Sequence, residues 1–135
     1  MGGGQSLNFG LGNLDTFAWV GGFSSAPNTK PPADLIKDHA EAAKRLRLLY
    51  VSCGDKDGLF RISAGVHKML TEKKVPHVYN AVPGGRHDFQ MWKNDLYHFA
   101  GLLFQDSFSS MLILGARRDG ERVARQIAAR SAAAA

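Results

Sequence analysis

Leu46-Arg47-Leu48-Leu49-Tyr50-Val51-Ser52-Cys53 is the stretch whose reading decides the fold. It is short, built from Leu, Val and Tyr, and almost continuously apolar, where a strand with one wet face would alternate. Such a strand is buried on both faces, which places it inside a parallel sheet covered by helices. Gly54-Asp55-Lys56-Asp57-Gly58 ends it in a loop.

Toward the N-terminus, residues 33–45 have helical periodicity, with Leu35, Ile36, Ala40 and Ala43 inward. Before them, the Ser/Pro-rich loop 24–32 follows an aromatic and β-branched strand, FAWVGGF, at 17–23. Residues 5–14 place Leu7, Leu11 and Leu14 on one helical face. Toward the C-terminus, Val66, Met69 and Leu70 mark a helix over 62–73, and Val75-Pro76 leads into a strand at 77–82. Pro83-Gly84-Gly85 turns the chain, and residues 88–104 form an amphipathic helix through Phe89, Trp92, Leu96, Phe99 and Leu103.

The order helix, strand, helix, strand, helix, strand, helix predicts an α/β fold with about three parallel strands and right-handed crossovers. Three strands make a small sheet for a segment buried on both faces, and parallel α/β domains seldom begin with a helix, so further strands are expected upstream. Residues 1–104 read as part of one domain. Residues 105–135 read as an Ala/Arg-rich tail without strand signal, in which 117–130 is compatible with a helix.

The 135 residues are 44% hydrophobic and 21% charged, which is globular rather than disordered. A net charge of +5 is scattered along the chain, so the clustered basic face of a nucleic-acid-binding protein is missing and that partner class is set aside. No apolar run approaches the ~18 residues of a membrane span, since Met111–Ala116 runs into Arg117 and Arg118; no membrane partner is expected. The single cysteine, Cys53, excludes an internal disulfide and a multi-cysteine zinc site. The first basic residue is Lys30, so no signal peptide is read, and the compartment is left open. Met1-Gly2-Gly3-Gly4-Gln5-Ser6 also matches the N-myristoylation pattern, which a glycine-rich start satisfies easily.

In an open parallel sheet, reactive groups gather on the loops beyond the carboxyl ends of the strands. The loop after residue 53 offers Asp55 and Asp57; the loop after residue 82 offers Arg86, His87 and Asp88. An acid followed by a histidine is the second half of the Ser, Asp, His order of α/β-hydrolases. His87 follows a strand and a Gly-Gly turn, whereas His39, His67 and His98 fall on helices and His77 begins a strand. The ordinary pKa of an imidazole suits a general base at neutral pH. Asp57 can equally be a turn former between two glycines, and Asp55 reads as a turn residue. Ser6 lies inside the first helix, and Cys53 reads as a small core residue.

Four segments together carry a resemblance to a family. MGGGQSLN (1–8) is similar to the segment after the nucleophile in the G-x-S-M-G-G elbow of α/β-hydrolase serine esterases of the esterase D and enterochelin-esterase-like branch, close to the feruloyl esterases. FAWVGGFSSAPNT, LLYVSCGDKDGL and VPGGRHDFQMWKNDLYHFAGLLF resemble the succeeding strands, acid loop and histidine loop, in order. The resemblance covers 1–104 and implies the C-terminal part of a hydrolase domain. It places the acid at Asp57, the base at His87, the elbow at Gly2 and Gly3, and an oxyanion-hole amide at Met1. The nucleophilic serine would be the residue before Met1, making the chain a fragment that is inactive alone. It implies a small-molecule or polysaccharide-linked feruloyl or acetyl ester as substrate, no cofactor and no metal, and relatives that are often secreted. The alternative is a non-catalytic interaction protein that keeps the half-fold. With upstream strands absent, an exposed sheet edge would favour self-association.

Overall fold

The computed structural model describes residues 1–103, so the Ala/Arg-rich tail at 105–135, the helix expected within it and Phe104 lie outside the described residues. Helix α1 (Gly2–Gly12) is followed by strand β1 (Trp19–Phe23), helices α2 (Pro32–Leu35) and α3 (His39–Arg45), and strand β2 (Leu48–Gly54). Helix α4 (Phe60–Glu72), strand β3 (Val78–Val82) and helix α5 (Phe89–Leu103) complete the order. The three strands are parallel in the order β1-β2-β3, as the helical crossovers between them require. The fold is α/β.

β2 is the central strand, and nearly every residue of it is buried, as its unbroken apolar run predicts. Val20 pairs in register with Leu49, so these residues and Val51 point to one face. There they meet Leu7 and Leu11 of α1, Leu35 of α2, Ala42 of α3, and Val66, Met69 and Leu70 of α4 in one buried cluster. Each large aliphatic side chain so buried contributes about 1.5–3 kcal/mol relative to exposure. On the opposite face Phe23, Tyr50 and Phe99 of α5 form an aromatic trio, with ring centroids 5.8 to 6.1 Å apart.

Three helices differ from their sequence expectation. On α5, Phe89 and Leu96, expected on the apolar face, are exposed, while Met91 and Asp95 are buried. The single helix expected over 33–45 is broken between α2 and α3. Ile36 is extended (φ −129°, ψ 119°) and buried in the core cluster, and the Asp38 side chain accepts the Glu41 amide at 2.9 Å to start α3. α1 begins at Gly2 rather than residue 5. Its glycines permit close packing: a Cβ at Gly3 would run into the backbone of Phe23, and one at Gly10 would lie 2.7 Å from the Val20 side chain. The unit that holds the sheet runs Met1–Phe99; of the second, Ala100–Ala135, only the last turn of α5 is described. Among the described residues no helix is long and apolar enough to cross a membrane.

Candidate active site

Because the strands are parallel, their carboxyl ends share one edge of the sheet. α1 runs back along β1, with Gly10 against Val20 and Gly3 against Phe23, so its N-terminus reaches that same edge. Asn28, in the loop after β1, ties it there: its side-chain amide donates to the Met1 carbonyl at 3.1 Å. Asn8 of α1 donates to the Asn28 carbonyl at 2.8 Å and accepts the Lys30 amide at 2.9 Å.

Asp57 and His87, thirty residues apart, meet above β2 and β3: Nδ1 of His87 lies 2.8 Å from Oδ2 of Asp57. The other carboxylate oxygen, Oδ1, accepts the Leu59 amide at 2.9 Å. Asp57 is 5% exposed. Burial alone would push its carboxyl up, but the hydrogen bonds from the Leu59 amide and His87, with the nearby Ser24 hydroxyl and the charge of His87, outweigh it and hold the carboxyl below its ordinary value. Asp57 is therefore an acceptor at neutral pH. It selects the tautomer of His87 with a proton on Nδ1, leaving Nε2 as the basic nitrogen.

His87 lines a cleft of about 380 Å³ together with Met1, Gly2, Gly3, Ser24 and Trp92. Gly2 and Gly3 form the first turn of α1, Met1 precedes it, and Ser6 lines the cleft from within the helix. Asp55 stays apart from His87, and its carboxylate accepts the Gly84 amide at 2.8 Å. Cys53 is fully buried, and burial first of all pushes its thiol up to about 11, which keeps it protonated and unreactive at neutral pH. His67 and His77 pair with each other at 2.8 Å instead, with His67 stacked on Tyr79. Among the described residues no group of three or more His, Cys, Asp or Glu side chains is placed to hold a metal ion.

Ser24 escapes the sequence reading, whereas Trp92, which reads as core or pocket wall, lines the cleft. Ser24 ends β1 in a left-handed conformation, φ 43°, which a non-glycine residue adopts only under tertiary constraint. Its amide donates to the Ser52 carbonyl at 2.9 Å, and its hydroxyl is among the groups that lower the Asp57 carboxyl. Trp92 stands edge-to-face with the His87 ring, with centroids 4.9 Å apart. In sequence, Ser24 is one more residue of a Ser/Pro loop.

No family model matches the chain. Among solved structures, it is similar to a ferulic acid esterase at 22% identity and TM-score 0.61, covering 73% of this chain and 46% of that one. It is also similar to a CE1 ferulic acid esterase of the anaerobic fungus Anaeromyces mucronatus. Without substrate, that structure matches at 24% identity and TM-score 0.59, over 82% of this chain and 42% of that one. In complex with ferulic acid it matches at 25% identity and TM-score 0.60, over 83% and 43%. The chain shares its fold with ferulic acid esterases. It spans less than half the length of each of these structures.

Proposed function

We propose that this chain is the acid- and histidine-bearing part of a serine carboxylic-ester hydrolase of the esterase D and enterochelin-esterase-like branch, acting on feruloyl or acetyl esters. The observation that carries the reading is the 2.8 Å pairing of Asp57 with His87 beside a cleft that also takes in the N-terminus of α1. In this reading the nucleophilic serine precedes Met1. His87 takes its proton through Nε2 during attack on the ester carbonyl and returns a proton to the departing alcohol, while Asp57 stabilises the imidazolium. The amide of Met1, the residue after the nucleophile, donates to the oxyanion, and Gly2 and Gly3 allow the backbone to come close. The similarity to structures of a ferulic acid esterase, one in complex with ferulic acid, supports an aromatic acyl ester as the substrate class.

The test is to read the frame upstream of Met1 and express the chain extended through a Gly-x-Ser segment. The extended chain should hydrolyse p-nitrophenyl acetate with an initial burst, and the 135-residue chain should be no faster than its His87→Ala variant. A burst from the 135-residue chain would remove the reading.

A second reading is favoured by a different observation. β1 is paired only with β2 among the described residues, and a groove of about 610 Å³ lined by Phe9, Phe17, Trp19, Leu96 and Phe99 runs beside it. A non-catalytic interaction protein would use this edge, and the same edge would support self-association. An upstream stop codon with a start signal at Met1 supports this reading over the first.

A further inference from the structure

Asp55 and Asp57 are two residues apart in one loop and serve different partners. Asp57 meets His87, whereas Asp55, exposed, accepts the Gly84 amide through Oδ1 at 2.8 Å. Gly84 lies in the left-handed region, φ 72°, in the turn that leads to His87. Two further bonds join the loops: the Asp55 amide donates to the Val82 carbonyl at 3.0 Å, and the Lys56 amide to the Gly85 carbonyl at 2.9 Å. The backbones are in close contact, since a side chain on Gly54 or Gly85 would run into the backbone of the other.

We propose that Asp55 is a positioning residue, whose carboxylate fixes the Gly84 turn and so sets the reach of His87 to Asp57. The inference rests on reading Asp57 and His87 as an acid–base pair, and deepens it. Asp55 is the only side chain among the described residues that bonds to the backbone of the turn 83–85. Within that turn, Gly85 donates to Val82 at 3.1 Å, which closes the turn but does not attach its tip to the acid loop. Bonds to an ionised acceptor are the stronger kind, and an acid–base pair tolerates displacement of only about 0.5 Å.

The test uses the full chain carrying Trp19→Lys on the open edge of β1, a charge that opposes association, and NMR, with no substrate. The Gly84 amide should exchange roughly ten- to hundredfold more slowly than in an unstructured peptide. The downfield Nδ1 proton of His87 should be present in this chain and in its Asp55→Asn variant, whose amide oxygen keeps the acceptor. It should broaden away in Asp55→Ala while amide shifts outside the two loops are unchanged. Persistence of that signal in a folded Asp55→Ala, its loss in a folded Asp55→Asn, or unprotected exchange at Gly84 would each overturn the proposal. Should Asp55→Ala fail to fold, the Gly84 exchange rate and the Asn variant decide. Absence of ester turnover in the extended chain would overturn the esterase reading alone, because both NMR signals are read independently of turnover.

Discussion

The loops beyond β2 and β3 and the outer edge of β1 belong to the same small sheet, and their groups are satisfied in different ways. In the loops, Asp57 is matched by Leu59 and His87, Asp55 by Gly84, and the Lys56 amide by Gly85. Along β1, no strand pairs with the outer side among the described residues, and Phe9, Phe17, Trp19 and Leu96 are 44 to 62% exposed. The acid–histidine pair is assembled from neighbouring loops and asks nothing of the β1 edge. Chemistry and assembly should therefore respond to different substitutions.

The largest expected effect is on activity. In the extended chain, His87→Ala and Asp57→Asn should each lower kcat/KM by on the order of 10³–10⁴-fold, because the first removes the base and the second its correct tautomer. Asp55→Asn should cost far less. A damaging Asp55→Asn beside a silent Asp57→Asn, measured with p-nitrophenyl acetate, would exchange the two assignments.

Next comes assembly. At micromolar concentration the 135-residue chain should elute from a size-exclusion column as oligomers or aggregates. Trp19→Lys, placing a charge on the open strand where Trp19 is 51% exposed, should shift it toward monomer and leave the Nδ1 signal of His87 in place. A monodisperse monomer with one cooperative, concentration-independent urea transition would erase the contrast between the two regions.

The α1–β1 contact joins them and gives a smaller effect. Nothing lies within 4 Å of a Cβ built at Gly2, whereas one at Gly3 overlaps the backbone of Phe23, which cannot rotate away. Gly2→Ala should stabilise by up to about 0.5–1 kcal/mol through lost unfolded-state freedom. Gly3→Ala should destabilise by about 1–3 kcal/mol through overpacking. Urea midpoints of the two variants on opposite sides of the unaltered chain would establish that helix and strand are in this contact in solution.

The sheet was legible because β2 is buried on both faces and its composition says so. The His87 loop was legible because Gly84-Gly85 punctuates the end of a strand. Asp57 could not be separated from Asp55 by spacing, since only the fold decides which carboxylate turns toward His87 and which toward Gly84. The break at Ile36 had a signal, Asp38 three residues before Glu41, which is a helix-start pattern hidden inside an apparently continuous helical period. Gly2 to Gly4 concealed the start of α1 because glycine is a poor helix former; packing on β1 and the bond from Asn28 override that preference. Ser24 left no trace in sequence, because its role depends on a backbone conformation imposed by the strands beside it.

The smallest expected effect contrasts two buried carboxylates. Asp95, 1% exposed on α5, faces Tyr50, whose hydroxyl donates to its Oδ1 at 3.3 Å, while Oδ2 has no partner. Burial pushes its carboxyl up; the polar groups of Ser52, Tyr50 and Asn80 around it and the charge of His98 oppose this without cancelling it. A raised folded pKa means that the folded chain binds more protons than the unfolded one, so stability falls as pH rises from the ordinary carboxylate value through the raised one. Asp57, with its lowered pKa, has the opposite sign: its contribution is complete above the ordinary value and is lost as pH falls through the folded pKa. Asp95→Asn should therefore raise the urea midpoint at neutral pH, and the gain should shrink as pH falls through the raised pKa and be gone at the ordinary carboxylate value. A gain that stays constant with pH would assign the effect to packing rather than charge. A loss at neutral pH would mean that ionised Asp95 is held by its neighbours as firmly as Asp57 is by its own.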